Sequence, residues 1–175
     1  SIPSALPTMS RTKFAKDDKS YDAALDRALT LLEYRARSAQ EMRRALVQRE
    51  FPEDVADEVV ARLEELGYID DAAYARALVS STIRKGSGSR RARYALMQRG
   101  VPDDVSAEAL EEVDEEAEFS AALARGEKLW ARYGDIPARE KKMKVSRSLA
   151  GRGFSYDVIS SVLRRVSKGA DEEDD

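Results

Sequence analysis

The sequence predicts an all-α fold, a tandem array of three three-helix repeats, and three observations carry that prediction. One segment is written three times without an internal gap. Residues 46–63 read LVQREFPEDVADEVVARL, residues 96–113 read LMQRGVPDDVSAEALEEV and residues 149–166 read LAGRGFSYDVISSVLRRV. Arg49, Arg99 and Arg152 correspond, as do Asp54, Asp104 and Asp157, and Val55, Val105 and Val158, at offsets of 50 and 53 residues. Periods of that length mark arrays of one supersecondary unit too small to bury its own apolar face. Second, the apolar residues between these segments recur at helical spacing. Third, no stretch alternates apolar and polar residues as a strand would.

The elements follow in order. In repeat one (21–66), a helix over about 21–36 carries Leu25, Ala28, Leu29 and Leu32 as one stripe. Ser38 followed by Glu41 is a capping box that starts the second helix, with Met42, Ala45 and Leu46 facing inward. Phe51-Pro52 ends it, because proline cannot continue a helix but suits a new first turn. The third helix carries Val55, Val59, Leu63 and Leu66 on one side.

In repeat two (67–113), Asp70 or Asp71 caps a helix with Tyr74, Ala75, Leu78 and Val79. Gly86-Ser87-Gly88-Ser89 reads as a flexible turn, then a helix with Ala92, Ala95 and Leu96 stops at Gly100. Pro102 opens a third helix with Val105, Ala109 and Val113. In repeat three (114–168), Phe119, Leu123, Leu129, Trp130 and Tyr133 line the first helix, which exits through Gly134-Asp135-Ile136-Pro137. Val145 and Leu149 face inward on the second helix, Val158, Val162 and Val166 on the third, and Ser155 caps where the other repeats have proline.

Composition narrows the function. Of 175 residues, 36% are charged, above the usual quarter or so and normal for a helical array with much surface. There is no cysteine, so disulfide and thiolate chemistry are excluded and a reducing compartment is natural. There is no histidine, which removes the commonest general base and zinc ligand. Residues 1–20 lack a continuous apolar core and read as a disordered leader rather than a signal peptide. GADEEDD, 169–175, reads as an acidic disordered tail. No apolar run approaches transmembrane length. A soluble, cytoplasmic, monomeric non-enzyme with no cofactor and no metal is expected.

Two features could suggest catalysis. Asp70-Asp71 resembles an acid/base pair, but aspartates at a helix start cap its free N–H groups, and no His, Cys or third acid completes a site. GSGS lacks the lysine of a phosphate-binding loop. Trp130 and Tyr133 fit an apolar stripe and belong with the core.

The formal net charge of −3 conceals segregation. Residues 84–99 carry six cations (Arg84, Lys85, Arg90, Arg91, Arg93, Arg99) and no acid. Residues 139–152 carry six (Arg139, Lys141, Lys142, Lys144, Arg147, Arg152) against Glu140. Residues 103–118 carry nine acids and no cation, and residues 53–65 carry six acids against Arg62. If equivalent helices hold equivalent places, one edge is positive and another negative, a field that attracts polyanions and orients a charged protein partner. Backbone amides of the Gly-Ser turn can hydrogen-bond phosphates, and Tyr94 amid arginines can stack on a base. The bland alternative is a solvated surface, since exposed charge pairs contribute little, and the pI of 5.3 argues against a dedicated DNA-binding domain.

LLEYRARSAQEMRRAL, LEELGYIDDAAYARALV and GSGSRRARYALMQRGVPDDV, taken together, resemble the RecX family, regulators of the RecA recombinase. The specific parts are Leu31-Leu32 with Arg35 and Ser38, the block from Gly67 to Asp71 with Tyr74-Ala75, and Gly88 with Arg91, Leu96 and Gly100. The resemblance runs over 21–166 and is thinnest in repeat three. It implies an elongated, curved body without catalytic residues. It also implies lodging in the helical groove of RecA filaments and inhibition of ATP hydrolysis, strand exchange and co-protease activity. Single- or double-stranded DNA is a second partner, and a DNA-binding module the alternative function. Charge and exposure select the contact candidates: Arg84, Lys85, Arg90, Arg91, Arg93 and Tyr94 in repeat two, and Lys141, Lys142, Lys144 and Arg147 in repeat three, with Arg43 and Arg44 as secondary candidates. Arg49, Arg99 and Arg152 recur at helix ends, where a cation favours the dipole.

Overall fold

A computed structural model describes residues 14–168, so the leader up to residue 13 and the acidic tail lie outside the described residues. Among the described residues there are nine helices and no strand: α1 Tyr21–Tyr34, α2 Ala39–Gln48, α3 Glu53–Glu65, α4 Asp71–Arg84, α5 Ser89–Gln98, α6 Asp103–Glu111, α7 Glu115–Arg132, α8 Ala138–Gly151 and α9 Tyr156–Val166. The chain divides into two compact units. One is the chain through Ala75 with Met97–Ser106; the other is Arg76–Leu96 with the chain from Ala107 onward.

In the first unit α1, α2 and α3 surround Ala24, Ala28, Met42, Leu46, Ala56, Val59 and Leu63, all fully buried. Of the expected α1 stripe, Ala28 lies in the core and the three leucines do not reach full burial. Ala24 and Ala28 are fully buried, whereas Leu25, Leu29 and Leu32 are half-buried and cover the edges. Arg35 is extended (φ −166°, ψ 161°) and ends α1 at Tyr34, two residues before the expected end. Leu66, expected inward, is exposed because it caps α3. At the start of α4, Asp70 is the cap, its Oδ1 accepting from Ala73 N–H (3.1 Å), while Asp71 Oδ1 accepts from Ala39 N–H at the start of α2 (2.9 Å).

In the second unit α7, α8 and α9 surround Ala122, Val145, Leu149, Phe154 and Val162, all fully buried. Trp130 and Tyr133 are half-buried against this core, as their spacing predicts. Ser155 caps α9 through Val158 N–H (3.4 Å).

Every second helix ends in the same way. Arg49 and Arg152 are the C-caps of α2 and α8, and Arg99 follows α5. The next residue is left-handed each time: Glu50 (φ 66°), Gly100 (φ 72°) and Gly153 (φ 89°). The one after is buried: Phe51, Val101 and Phe154. Helix termini leave carbonyls without intrahelical donors, and here chain from earlier in the sequence meets them. In the first unit Lys19 Nζ donates to the Arg49 carbonyl (2.7 Å) and the Ser38 hydroxyl to the Arg99 carbonyl (2.6 Å). In the second, Gly88 N–H donates to the Arg152 carbonyl (2.9 Å) and Arg90 N–H to the Gly153 carbonyl (3.0 Å).

The Gly-Ser turn is therefore a docked segment, and its amides are engaged within the protein. A Cβ at Gly88 would meet the Gly153 carbonyl oxygen, and one at Gly153 would lie 2.5 Å from Arg91 N. Ser89 N–H donates to Glu118 Oε1 (2.8 Å), from a side chain that is buried on α7. The phosphate-binding role expected for these amides does not stand.

Left-handed backbone costs a non-glycine residue about 1–2 kcal/mol. Glu50→Gly should therefore raise stability in urea unfolding by about 1 kcal/mol. Gly153→Ala should lower it more than Gly100→Ala does. The new methyl strikes the Arg91 backbone in the first case and only the Gln40 side chain in the second. Ser38→Ala, which removes both a cap and the link to Arg99, should cost about 1–2 kcal/mol in the same assay.

Candidate binding surface

The basic helices were singled out by charge, and the structure separates the cations held internally from those presented to solvent. In the second unit the start of α5 sits on the end of α8. Arg91 Nη1 donates to Ser87 Oγ (3.1 Å) and Arg91 Nη2 to the Gly151 carbonyl (3.3 Å), so Arg91 helps fasten this joint. Arg90 and Arg93 are exposed one turn apart on α5. They form one wall of a groove whose other wall includes Glu111 and Glu115. Tyr94 is 57% exposed beside them, within the protein's own interactions. Arg84 and Lys85 are exposed at the exit of α4.

On α8, Lys144 and Arg147 are exposed and Lys141 and Lys142 half-buried. Lys141 lies over the Trp130 ring (4.8 Å to its centroid) and Lys144 over Tyr133 (5.4 Å). Such stacking attracts a cation to the ring face while leaving part of its head accessible. The joint places Arg90 and Arg91 beside the end of α8, with Arg147 one turn back. Lys141 stands about 9 Å beyond Arg147, at 1.5 Å per residue. The candidates of repeats two and three thus share one unit, in which the start of α5 meets the end of α8.

The secondary candidates serve the first unit internally. Arg43 pairs with Asp57 (2.7 Å) and Glu53 (3.7 Å), tying α2 to α3, and Arg44 Nη1 donates to the Gln98 carbonyl (3.3 Å). The sharp division into positive and negative edges is softened accordingly: basic and acidic helices are neighbours at Arg43 and again at the Arg90–Arg93 groove.

Sequence reasoning missed the network around Glu41. This carboxylate, with its side chain 12% exposed, completes the Ser38 capping box and accepts from Arg35 (2.9 Å) and Arg99 (3.4 Å). Arg99 also donates to the Tyr74 hydroxyl (2.9 Å). Burial raises the Glu41 pKa. Hydrogen bonds from Arg35, Tyr74 and the Ser38 amide outweigh that and hold it below the ordinary 4.5. The capping box signalled Glu41, but nothing local signalled partners so far along the chain.

Among the described residues no helix is long and apolar enough to cross a membrane. The fold defines a class: an all-α protein built of three-helix domains in tandem. Three family models match in succession, RecX first three-helix domain over 24–63, RecX second three-helix domain over 70–110 and RecX third three-helix domain over 115–163. The chain belongs to the RecX family. It is 33% identical over 159 residues to regulatory protein RecX of Leuconostoc mesenteroides, an alignment covering 90% of this chain and 60% of that protein. It is 28% identical over 154 residues to regulatory protein RecX of Clostridioides difficile, covering 86% and 71%. The chain thus spans about 60% of the length of the Leuconostoc relative. Among solved structures, the crystal structure of RecX from Lactobacillus salivarius superposes with a TM-score of 0.80 at 26% identity, covering 84% of this chain and 96% of that one. A second crystal structure of regulatory protein RecX gives 0.73 at 28% identity, covering 81% and 72%.

The Glu41 network predicts a pH dependence with a definite sign. A carboxylate whose pKa is depressed on folding contributes stability above its unfolded pKa, and this is lost as pH falls through the folded value. Wild-type stability should therefore fall below about pH 4.5 more steeply than that of Glu41→Gln in urea titrations across pH 3–7. Parallel curves would remove Glu41 as a stabilising charge.

Proposed function

We propose that this chain regulates the RecA recombinase by lodging in the helical groove of the RecA filament. There it inhibits ATP hydrolysis, strand exchange and co-protease activity, and so modulates DNA repair and the SOS response. The observation that carries this reading is the succession of three RecX domain matches over 24–163. The exposed cations Arg90, Arg93, Lys144 and Arg147 support it, because exposed arginines and lysines suit acidic protein surfaces and steer association. Many moderate contacts by domains in tandem add up by avidity.

A second reading, a DNA-binding helical-repeat module, draws on Arg90, Arg93, Lys144 and Arg147, which are exposed. Two features weigh against it as the main activity. The turn amides that would suit phosphates are engaged internally, and Arg91 holds the joint between α5 and α8.

The purified protein should slow DNA-dependent ATP hydrolysis by pre-formed RecA filaments at or below equimolar ratio. Joint reversal of Arg90, Arg93 and Arg147 to glutamate should weaken that inhibition at least about tenfold. Arg91 is left intact so that folding is not the variable. Undiminished hydrolysis with filaments demonstrably present defeats the reading. Inhibition that tracks DNA affinity, with a steep loss in salt, favours the DNA module.

A further inference from the structure

A groove of about 570 Å³ lies wholly within the second unit, between α4 on one side and the end of α6 with the start of α7 on the other. α4 lines it with Arg76, Val79, Ser80, Ile83 and Arg84, spaced i, i+3, i+4, i+7 and i+8, so one helix face is turned to it. The opposite side contributes Ala109, Val113, Ala117 and Ala121. Val79, Ile83 and Ala109 are buried beneath it, Val113 and Ala121 are half-buried, and Ala117 is exposed. Ser80 and the alanines stand where longer side chains would fill the space.

Charge is divided between the two lips. Arg76 and Arg84 are exposed on α4, about 12 Å apart along the helix axis. Among the described residues neither arginine has an ion-pair partner. Glu112 is exposed on the other side, and beside it Asp114 is engaged in capping α7 through the Glu116 and Ala117 N–H groups. Val113 also lines the Arg90–Arg93 groove, so the two grooves adjoin.

We propose that this groove receives one face of an amphipathic helix from a protein partner, with aliphatic side chains in the groove and carboxylates on Arg76 and Arg84. A trough walled by helices takes the apolar stripe of another helix. Two arginines about two turns apart suit two acids at the same separation on that helix, and Glu112 suits a cation on its other flank. A nucleic acid fits poorly. The side chains of Val79, Ile83 and Ala109 offer no hydrogen-bond donor, and Glu112 and Asp114 would face its phosphates. The partner's identity as a RecA subunit, and only that, rests on the function proposed above.

The chain has no cysteine, so one introduced thiol can be modified alone. Ala117→Cys places it at the groove, and Ala124→Cys places it on α7 outside the groove; both positions are exposed. Each variant is alkylated with N-benzylmaleimide and freed of reagent, and circular dichroism confirms that helix content is kept. Alkylated Ala117→Cys should bind pre-formed RecA filaments about tenfold more weakly than the unalkylated variant. Alkylation of Ala124→Cys should change nothing. Arg76→Gln combined with Arg84→Gln should weaken filament binding to a similar degree. Affinity for bare single-stranded DNA should be the same before and after alkylation. Equal filament affinity before and after alkylation of Ala117→Cys overturns the proposal. A parallel fall in DNA affinity overturns it in favour of a nucleic acid, and dissociation of a dimer on alkylation, seen by sedimentation, overturns it in favour of a second copy of the chain. If wild type fails to bind filaments, the functional reading fails, and a designed peptide decides the groove. That probe is a fluorescein-labelled helix with leucines at i, i+4 and i+7 and two glutamates eight residues apart beside them. Binding that alkylation of Ala117→Cys weakens about tenfold upholds the site; unchanged binding, or none, overturns it.

Discussion

The structure depends on how the second helix of each repeat ends. Three consecutive backbone positions do three jobs: a carbonyl accepts from earlier chain, the next residue turns left-handed, and the third drops into the core. The acceptor geometry is fixed by the helix, but the donor is free to vary. It is a lysine ammonium at Arg49, a serine hydroxyl at Arg99 and a backbone amide at Arg152. Burial of Phe51, Val101 and Phe154 supplies the apolar driving force, and the bond to the carbonyl supplies the register. A helical array needs both, because apolar contact alone is non-directional.

This constraint decides which charges remain for a partner. Arg91 and Arg44 bind carbonyls at helix ends, Arg99 and Arg35 neutralise Glu41, and Arg43 holds α3. Arg90, Arg93 and Arg147 stay exposed. A run of cations thus mixes two populations that charge counting cannot tell apart, one positioning the helices and one facing solvent.

The repeat, the helices and most of the core were legible because each depends on periodicity along one element. Ser38 with Glu41 read correctly as a capping box for the same reason. The second bond of Ser38, to a carbonyl 61 residues away, left no local mark. Nor did the docking of Gly88 on Gly153: Gly-Ser composition describes what a turn permits, and the facing backbone decides whether it is held. On α1 the expected stripe included Ala28, which is fully buried, but missed Ala24, which is buried as completely while Leu25, Leu29 and Leu32 are half-buried.

Amide hydrogen exchange in the Gly86–Ser89 turn tests the central claim most directly. Backbone amides bonded to the Arg152 carbonyl and to Glu118 should exchange slowly, at rates near those inside α8. Exchange of Gly88 and Ser89 at the rate of an unstructured peptide would contradict the account, for the end of the second helix would then have no earlier chain docked upon it.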